Sequence, residues 1–486
     1  MLFNSYIFIL CFLPITMIGY YGCNHWKKEE LAKCFLIIAS LLFYGYFDVR
    51  YLPVILASIC FNYGFSRMFS KVTFEKYKRL ILAAGTACNI GLLFYIKYWN
   101  FFLENINAIA GSSFALKQLL LPLGISFFTF QQIAYLVDSY RGETAEYRFT
   151  DYALFVTFFP KLSMGPIVLH HQLIPEFHKK ENKVLSQERL SLGIWWFSVG
   201  LGKKVLLADT LGKGVDFAYA NVEAMGGLDV LVVALLYTLQ IYFDFSGYCD
   251  MACGIGEMFQ ISLPKNFNSP YKATSITEFW NRWHMTLSGF LQKYIYFPLG
   301  GSRKGLLRSM INILLVFLVS GIWHGAAWTF IVWGLLHGVA RVLHKIFQKA
   351  WDRFPKGIRW FLTFTFLNVT WIFFRAESLA QATTMLKKVF TSFKWELQSG
   401  LMQQFDVLEF TYIEEHVGTL MNLIKTCPQI HLLIILGIGL LVALLPKNLY
   451  EKEWKTGIGN AAVSVILLVW CILSFSGVST FLYFNF

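Results

Sequence analysis

The chain has 486 residues, of which 56% are hydrophobic and only 15% are charged, with a formal net charge of +13. Soluble domains average about 25% charged residues, so the composition excludes an ordinary water-soluble globular protein. The basic residues stand in short groups between apolar runs, as the positive-inside rule produces in membrane proteins. We therefore predict a protein that lies in membrane lipid and binds no nucleic acid.

Apolar runs long enough to cross a bilayer, about 20 residues each, recur along almost the whole chain. They predict an all-α polytopic membrane protein with 10–13 transmembrane helices, some of them re-entrant or interfacial, in one membrane domain over residues 1–486. The predicted spans are 2–21, 31–47, 51–69, 79–98, 117–136, 151–169, 190–209, 229–259, 307–323, 326–346, 358–374, 430–446 and 457–484.

Two segments depart from this pattern. Residues 388–429 form a longer polar interruption with five acidic side chains, and we predict an extramembrane cap there. Residues 264–305 begin with two prolines, which end the preceding helix, and continue with a helix that is polar on one side. Because a lipid-exposed helix cannot bury such a polar side, we predict an interfacial or re-entrant segment.

The helix within this segment has a clear starting signal. Ser275 and Glu278 have the spacing of a capping box. At 100° per residue the aromatic and leucine side chains after Glu278 fall on one arc, whereas Asn281 and Arg282 lie outside it. We expect one continuous amphipathic helix with His284 at the edge of its apolar arc.

The nine cysteines form no paired framework and no zinc-binding spacing. Several lie inside apolar runs, where a thiol behaves as a small hydrophobic group. Phosphate-binding, dinucleotide-binding, zinc-protease and serine-hydrolase signatures are also missing from the sequence. We predict no metal site, no structural disulfide and no permanently bound cofactor.

Histidines at membrane depth are the strongest chemical signal. Residues 321–325 and 334–338 both read G-x-x-H-G, and no charged residue occurs between Arg308 and Arg341. The spacing of small residues predicts close approach of another helix. A histidine in such a run is expected to be functional or to have a polar partner, so His324 is either a catalytic group or a structural group bonded to a carbonyl.

His337 is the histidine of the second motif. On a straight helix, residues thirteen apart lie about 20 Å apart on opposite sides. We therefore expect that His324 and His337 do not share one reaction centre, and a structural role is favoured for His337.

A second polar cluster lies in the predicted span 229–259, where Tyr242, Asp244 and Ser246 interrupt an apolar run. Asp244 needs a cationic partner such as Arg282 or Lys265. The cluster either pairs buried charges that hold helices together or lines a tunnel for an acyl donor.

Taken together, these stretches resemble the membrane-bound O-acyltransferase (MBOAT) family, in the branch of the alginate O-acetylase membrane subunit. The resemblance covers most of the chain and implies helices around a central funnel or tunnel. The segments that carry it are 121–130, 138–142, 158–166, 202–209, 242–250, 266–271, 279–284, 296–301, 321–325 and 371–375.

The resemblance implies an O-acetyltransferase in the bacterial cytoplasmic membrane. The expected reaction moves an acetyl group from a cytoplasmic donor, acetyl-CoA, toward a cell-surface polysaccharide, an exopolysaccharide or the cell wall, or toward an exported or membrane-anchored partner acetyltransferase. His324 matches the family's invariant histidine and is expected to act as general base. His284 matches its second polar position and is expected to orient the acceptor or stabilise the oxyanion.

Several polar and aromatic side chains are expected to line the substrate path, and two other functions stay open. One alternative is D-alanyl transfer to teichoic acid from a carrier protein, and the other is a proton-coupled transporter, which also uses intramembrane histidines and carboxylates. The expected lining residues are Tyr242, Asp244, Ser246, Asn281, Arg282, Trp323 and His337.

Overall fold

The fold was obtained as a computed structural model of the chain. The structure describes residues 1–416, 427, 429–446, 448–451, 457–475 and 480–482. Within these ranges the chain contains helices, turns and loops and no β-strand. The predicted all-α class is confirmed.

Nine helices in the described ranges are long and apolar enough to cross a membrane. This makes the chain a multi-pass membrane protein, although nine is fewer than the predicted 10–13. Two further apolar helices, Glu29–Gly45 and Ile458–Leu473, have 17 and 16 residues. The nine candidate spans are Ile7–His25, Tyr51–Lys71, Glu75–Ala110, Gln187–Ala220, Gly227–Met258, Leu306–His324, Trp328–Trp351, Lys356–Arg375 and Ile430–Glu451.

Two predicted spans, 117–136 and 151–169, are not continuous helices. The first has no helix from residue 117 to Gly124, which has a left-handed backbone (φ +71°), and the helix Ile125–Tyr140 begins only after it. In the second, Phe149–Thr157 covers nine residues and ends three residues before a proline. Hydropathy alone did not reveal these breaks, because glycine and proline leave the apolar character of a run unchanged.

Contacts between residues divide the chain into two compact units. Among the described residues, the first comprises Met1–Gly200, Tyr248–Lys265, 457–475 and 480–482, and the second comprises Leu201–Gly247, 266–416, 427, 429–446 and 448–451. The single domain over 1–486 and the extramembrane position of 388–429 stay predictions, and residues 417–426 and 428 of that cap lie outside the described residues.

The first unit is built around packed aromatic rings. Phe8 packs against Phe43 and Phe159 at ring-centroid distances of 5.9 and 6.2 Å, and all three side chains are fully buried or nearly so. Its α-helices are Leu13–His25, Glu29–Gly45, Tyr51–Lys71, Glu75–Leu93, Trp99–Ala110, Ile125–Tyr140, Phe149–Thr157, Phe159–Leu162, His170–His178, Gln187–Gly202 and Ile458–Leu473. Six-residue and five-residue π-helical stretches, Ile7–Phe12 and Phe94–Tyr98, extend two of these helices.

The second unit holds the two G-x-x-H-G motifs and most of segment 264–305. The long helix Gly227–Met258 enters it with its first 21 residues. Its other α-helices are Asp209–Ala220, Ile276–Trp280, Met285–Leu291, Leu306–His324, Trp328–Trp351, Lys356–Arg375, Leu379–Thr391, Ser399–Gln403, Leu408–His416 and Ile430–Leu444. The two short helices Ile276–Trp280 and Met285–Leu291 are far below spanning length, and their interfacial or re-entrant placement stays a prediction.

Candidate active site

The segment predicted as one amphipathic helix is broken at His284. Its start is as predicted: Ser275 Oγ accepts a hydrogen bond from the backbone N–H of Glu278 at 3.1 Å. The helix Ile276–Trp280 then ends, and His284 adopts a left-handed backbone with φ 44° and ψ 52°. This conformation is costly for a residue with a Cβ atom. The prediction of a continuous helix was therefore wrong. The predicted place of His284 at the edge of an apolar helical arc is wrong with it, because His284 lies between two short helices.

Asn266 holds the chain in this broken conformation. Its carbonyl oxygen accepts the backbone N–H of Met285 at 2.9 Å. Its side-chain oxygen Oδ1 accepts the N–H and the hydroxyl of Thr286 at 3.3 and 2.9 Å, and it lies 3.0 Å from Nδ1 of His284. We did not predict Asn266 as a site residue. The only signal in the sequence was its place in segment 266–271, which carries the family resemblance.

These contacts determine where the proton sits on His284. The N–H of Thr286 can only donate, so the Asn266 atom facing it is the amide oxygen. An amide oxygen only accepts, so Nδ1 of His284 carries the proton and Nε2 carries the lone pair. His284 is fully buried, and Nε2 has no hydrogen-bond partner within the described part of the chain.

The surroundings of His284 favour the uncharged ring. His284 lies outside the nine candidate spans, and Phe245 meets its ring edge to face at a centroid distance of 4.8 Å. Burial, with a smaller contribution from the nearby His324, holds the pKa of His284 well below its usual value. Both effects favour a neutral imidazole at His284, with the lone pair on the buried atom Nε2.

His324 closes the helix Leu306–His324, and the next residue, Gly325, is extended (φ −163°, ψ 154°). Nδ1 of His324 lies 2.6 Å from the carbonyl oxygen of Ser320, and the side chain is 4% exposed. Because a carbonyl only accepts, Nδ1 is the protonated nitrogen and Nε2 carries the lone pair. The carbonyl bond expected for a structural histidine is thus present, but it uses Nδ1 and leaves Nε2 as the basic atom.

Trp323 brings the two histidines into one site. Its ring centroid is 6.1 Å from that of His284 and 4.9 Å from that of His324. The two imidazoles are close enough to interact electrostatically. The site thus contains two buried rings, both protonated on Nδ1, with a tryptophan against each of them.

The two G-x-x-H-G motifs face each other across a helical hairpin. A Cβ atom added to Gly334 would lie 2.5 Å from the carbonyl oxygen of Phe317 and 3.1 Å from Cα of Gly321. Only glycine permits this approach, so the predicted packing of small residues is confirmed.

This hairpin corrects the straight-helix estimate. The first helix ends at His324 and a second begins at Trp328, so His324 and His337 lie on different helices. Trp333 contacts both rings, at 5.0 and 4.9 Å between centroids. The estimated separation of about 20 Å was wrong because it ignored the chain reversal after His324.

Comparison with known proteins identifies the family of this chain. A sequence profile of the membrane-bound O-acyltransferase family matches residues 112–383, which include His284, His324 and His337. The chain belongs to this family.

Three relatives show how far the similarity extends. The peptidoglycan O-acetyltransferase of Helicobacter pylori is 41% identical over all of this chain and 98% of its own length. A probable alginate O-acetylase of Pseudomonas aeruginosa is 37% identical over 82% of this chain and 76% of its own length. A teichoic acid D-alanyltransferase of Bacillus subtilis is 30% identical over 49% of this chain and 63% of its own length. The chain is thus an enzyme, an acyltransferase of the MBOAT type.

His337 has a different environment from the other two histidines of this acyltransferase. Trp280 donates its indole N–H to Nδ1 of His337 at 3.2 Å, and Nε2 lies 3.1 Å from the hydroxyl of Thr370. Because the indole can only donate, Nδ1 is the acceptor and Nε2 carries the proton. Both nitrogens are engaged and the side chain is fully buried, which favours the structural role over substrate contact.

Asp244 has a cationic partner that was not predicted. Its carboxylate lies 2.8 Å from Nζ of Lys204, which also pairs with Asp209 at 2.7 Å. Arg282, one of the two expected partners, instead lies 2.9 Å from Glu278. Lys204 and Asp244 are both about 2% exposed, so this is a buried ion pair, as expected if the cluster holds helices of the acyltransferase together.

The remaining predicted lining residues differ in exposure. Tyr242 is buried against Tyr271 at 5.3 Å between ring centroids. Ser246 is 2% exposed, and its hydroxyl has no hydrogen-bond partner within the described residues. Asn281 is exposed. Whether these side chains line a substrate path stays a prediction.

Proposed function

We propose that this acyltransferase moves an acetyl group from acetyl-CoA, bound from the cytoplasm, across the bacterial cytoplasmic membrane to a hydroxyl group of a cell-surface polysaccharide. Peptidoglycan is the favoured acceptor, because the relative that matches over 98% of its own length is named a peptidoglycan O-acetyltransferase. The alginate O-acetylase relatives support the same transferred group. The D-alanyltransferase relatives cover about half of this chain and support it less.

One observation carries the proposal: His324 and His284 share a buried site, and Nδ1 of each ring faces an oxygen acceptor, which makes Nε2 the basic nitrogen of each. In the proposed step, Nε2 of His324 removes the proton of the acceptor hydroxyl as the oxygen attacks the acetyl carbonyl carbon. The new C–O bond forms, the C–S bond of the thioester breaks, and the proton on His324 passes to the leaving thiolate. The products are the acetyl ester and free CoA thiol.

The tautomer of His284 distinguishes between its two expected roles. An oxyanion needs a hydrogen-bond donor, and Nε2 of His284 is an acceptor as long as Nδ1 is bonded to Asn266. His284 therefore accepts a hydrogen bond from another hydroxyl of the acceptor sugar, which orients the attacking hydroxyl toward His324. Stabilising an oxyanion through Nε2 would require a second proton, which burial disfavours.

The donor and acceptor are tested together with membranes that contain the protein. Acetyl-CoA labelled in the acetyl group is added on the cytoplasmic side of inverted vesicles loaded with peptidoglycan fragments, with and without the exported fraction of the host cell. Label in the fragments and equal release of free thiol support the proposal. Transfer that requires the exported fraction points to a partner acetyltransferase as the immediate acceptor.

The competing functions give different results in the same vesicles. Transfer of D-alanine from a charged carrier protein, with none from acetyl-CoA, would replace the acetyl proposal. Uptake of solute driven by a pH gradient, with no acyl transfer from either donor, would support the transporter instead. Membranes without the protein serve as the blank for each arm.

A further inference from the structure

The first unit contains a cluster of one aspartate and two histidines, side chains that commonly bind metal ions. None of the three residues takes part in the proposed reaction. Asp138 lies near the end of the helix Ile125–Tyr140, and His170 and His171 begin the helix His170–His178. One possible ligand atom from each of the three side chains lies within 4.8 Å of the other two. We propose that Asp138, His170 and His171 bind a divalent transition-metal ion, with Zn²⁺ as the best fit.

The spacing of two of these groups already suits a metal ion. Oδ2 of Asp138 lies 3.1 Å from Nε2 of His170, and both side chains are buried. Around a tetrahedral zinc ion with bonds of about 2.0–2.1 Å, neighbouring ligand atoms lie roughly 3.3 Å apart. The distance between these two atoms therefore already suits binding to one ion.

The other nitrogen of His170 is supported as in known metal sites. A histidine that binds a metal through one nitrogen commonly bonds its other N–H to an oxygen atom. Nδ1 of His170 lies 3.3 Å from the hydroxyl of Tyr147, and the rings of Tyr135 and Tyr147 flank it at 5.5 and 5.7 Å. These contacts fix the orientation of the ring and leave Nε2 directed at Asp138.

His171 is the third proposed ligand, and its position at the surface lets an ion reach the cluster. Its side chain is exposed, whereas its neighbour His170 is buried, so an ion can reach the cluster from the surface at His171. Two imidazoles and one carboxylate form a three-ligand set that zinc accepts, with a fourth position left for water. The bound ion would join the end of the helix Ile125–Tyr140 to the start of the helix His170–His178. The separation of 32 residues between Asp138 and His170 hides this cluster in the sequence.

The test measures metal in the full-length protein, purified in detergent without chelators and after removal of any affinity tag. We expect about one zinc ion per chain in the wild type and background zinc in His171→Ala, which changes an exposed side chain and leaves the fold intact. His25→Ala removes another exposed histidine of the same unit and should keep the wild-type zinc content.

A stability measurement covers protein that loses its metal during purification. Zinc added to chelator-treated wild type and to His25→Ala should raise Tm, because a ligand that binds only the folded state stabilises it. The same zinc should leave the Tm of His171→Ala unchanged. Wild-type protein with no more zinc than His171→Ala, together with no difference in Tm on zinc addition, would overturn the proposal.

Discussion

Replacing Asn266 tests how the site controls the proton on His284. Asn266→Ala removes the oxygen that accepts from His284 Nδ1 and from two donors of Thr286. A buried donor left without an acceptor costs about 1–3 kcal/mol. His284 is fully buried, whereas Thr286 is half-buried and can be partly hydrated. We therefore expect a loss of stability of about 2–4 kcal/mol, which lowers Tm and still permits purification.

The effect on catalysis follows from the loss of orientation. Without Asn266 the ring of His284 rotates and exchanges its proton between the two nitrogens, so Nε2 is an acceptor only part of the time. A lost orienting interaction of about 1.4–2.7 kcal/mol corresponds to a decrease in kcat of roughly 10- to 100-fold. KM for the acetyl donor should stay nearly constant, because His284 is proposed to contact the acceptor.

Asn266→Asp separates the two roles of His284. The carboxylate preserves the accepted hydrogen bonds but places a negative charge beside Nδ1, which raises the pKa of His284 and favours the doubly protonated ring. If Nε2 must accept a hydrogen bond, kcat falls again and recovers as the pH is raised. The assay is acceptor-dependent release of thiol from acetyl-CoA between pH 6 and 9. Full activity in Asn266→Ala, or higher activity in Asn266→Asp at low pH, would refute the acceptor role.

Three further predictions concern packing, charge and pH. Gly334→Ala should lower Tm and yield, because the added Cβ atom creates a clash that costs about 1–3 kcal/mol. Gly437→Ala is the control and should change neither, since its Cβ atom would meet open space among the described residues. Thermal unfolding in detergent compares the two variants. Lys204→Met should destabilise the protein by about 3–5 kcal/mol, because it removes a buried cation 2.8 Å from Asp244. Adding Asp244→Asn should recover part of the yield, and no recovery would count against the ion pair. Burial holds the pKa of His284 below its usual 6.5, so the unfolded state binds the extra proton at a higher pH than the folded state. Tm should therefore fall as the pH drops below 6.5. In a series of Tm measurements against pH, His284→Gln should show a smaller fall than wild type, and equal slopes would contradict the buried neutral ring.

The membrane helices could be predicted from the sequence because length and apolar character decide whether a segment spans a bilayer. The prediction failed at Gly124, where the backbone conformation rather than hydropathy ends the run. The predicted separation of His324 and His337 was also wrong. That estimate assumed one continuous helix, whereas the helix ends at His324 and the chain then reverses. The two G-x-x-H-G motifs predicted the packing of this region better, because their small residues indicate close contact with another helix.

The site was predicted only in part, for a similar reason. His284 and His324 stand out by residue type in an apolar surrounding, and the family resemblance pointed to both. The left-handed backbone at His284 depends on Asn266, 18 residues earlier, and no local propensity encodes that contact. The partner of Asp244 was missed because Lys204 lies 40 residues away on another helix.

The central claim is that His324 is the general base of acetyl transfer. Its most direct test is the rate of acceptor-dependent thiol release from acetyl-CoA by His324→Ala, with wild type and His25→Ala at equal amounts of folded protein. Loss of a general base predicts a decrease of about 10²- to 10⁴-fold in His324→Ala, with wild-type turnover in His25→Ala. Turnover in His324→Ala within a few-fold of wild type would contradict the account and move the base to another residue.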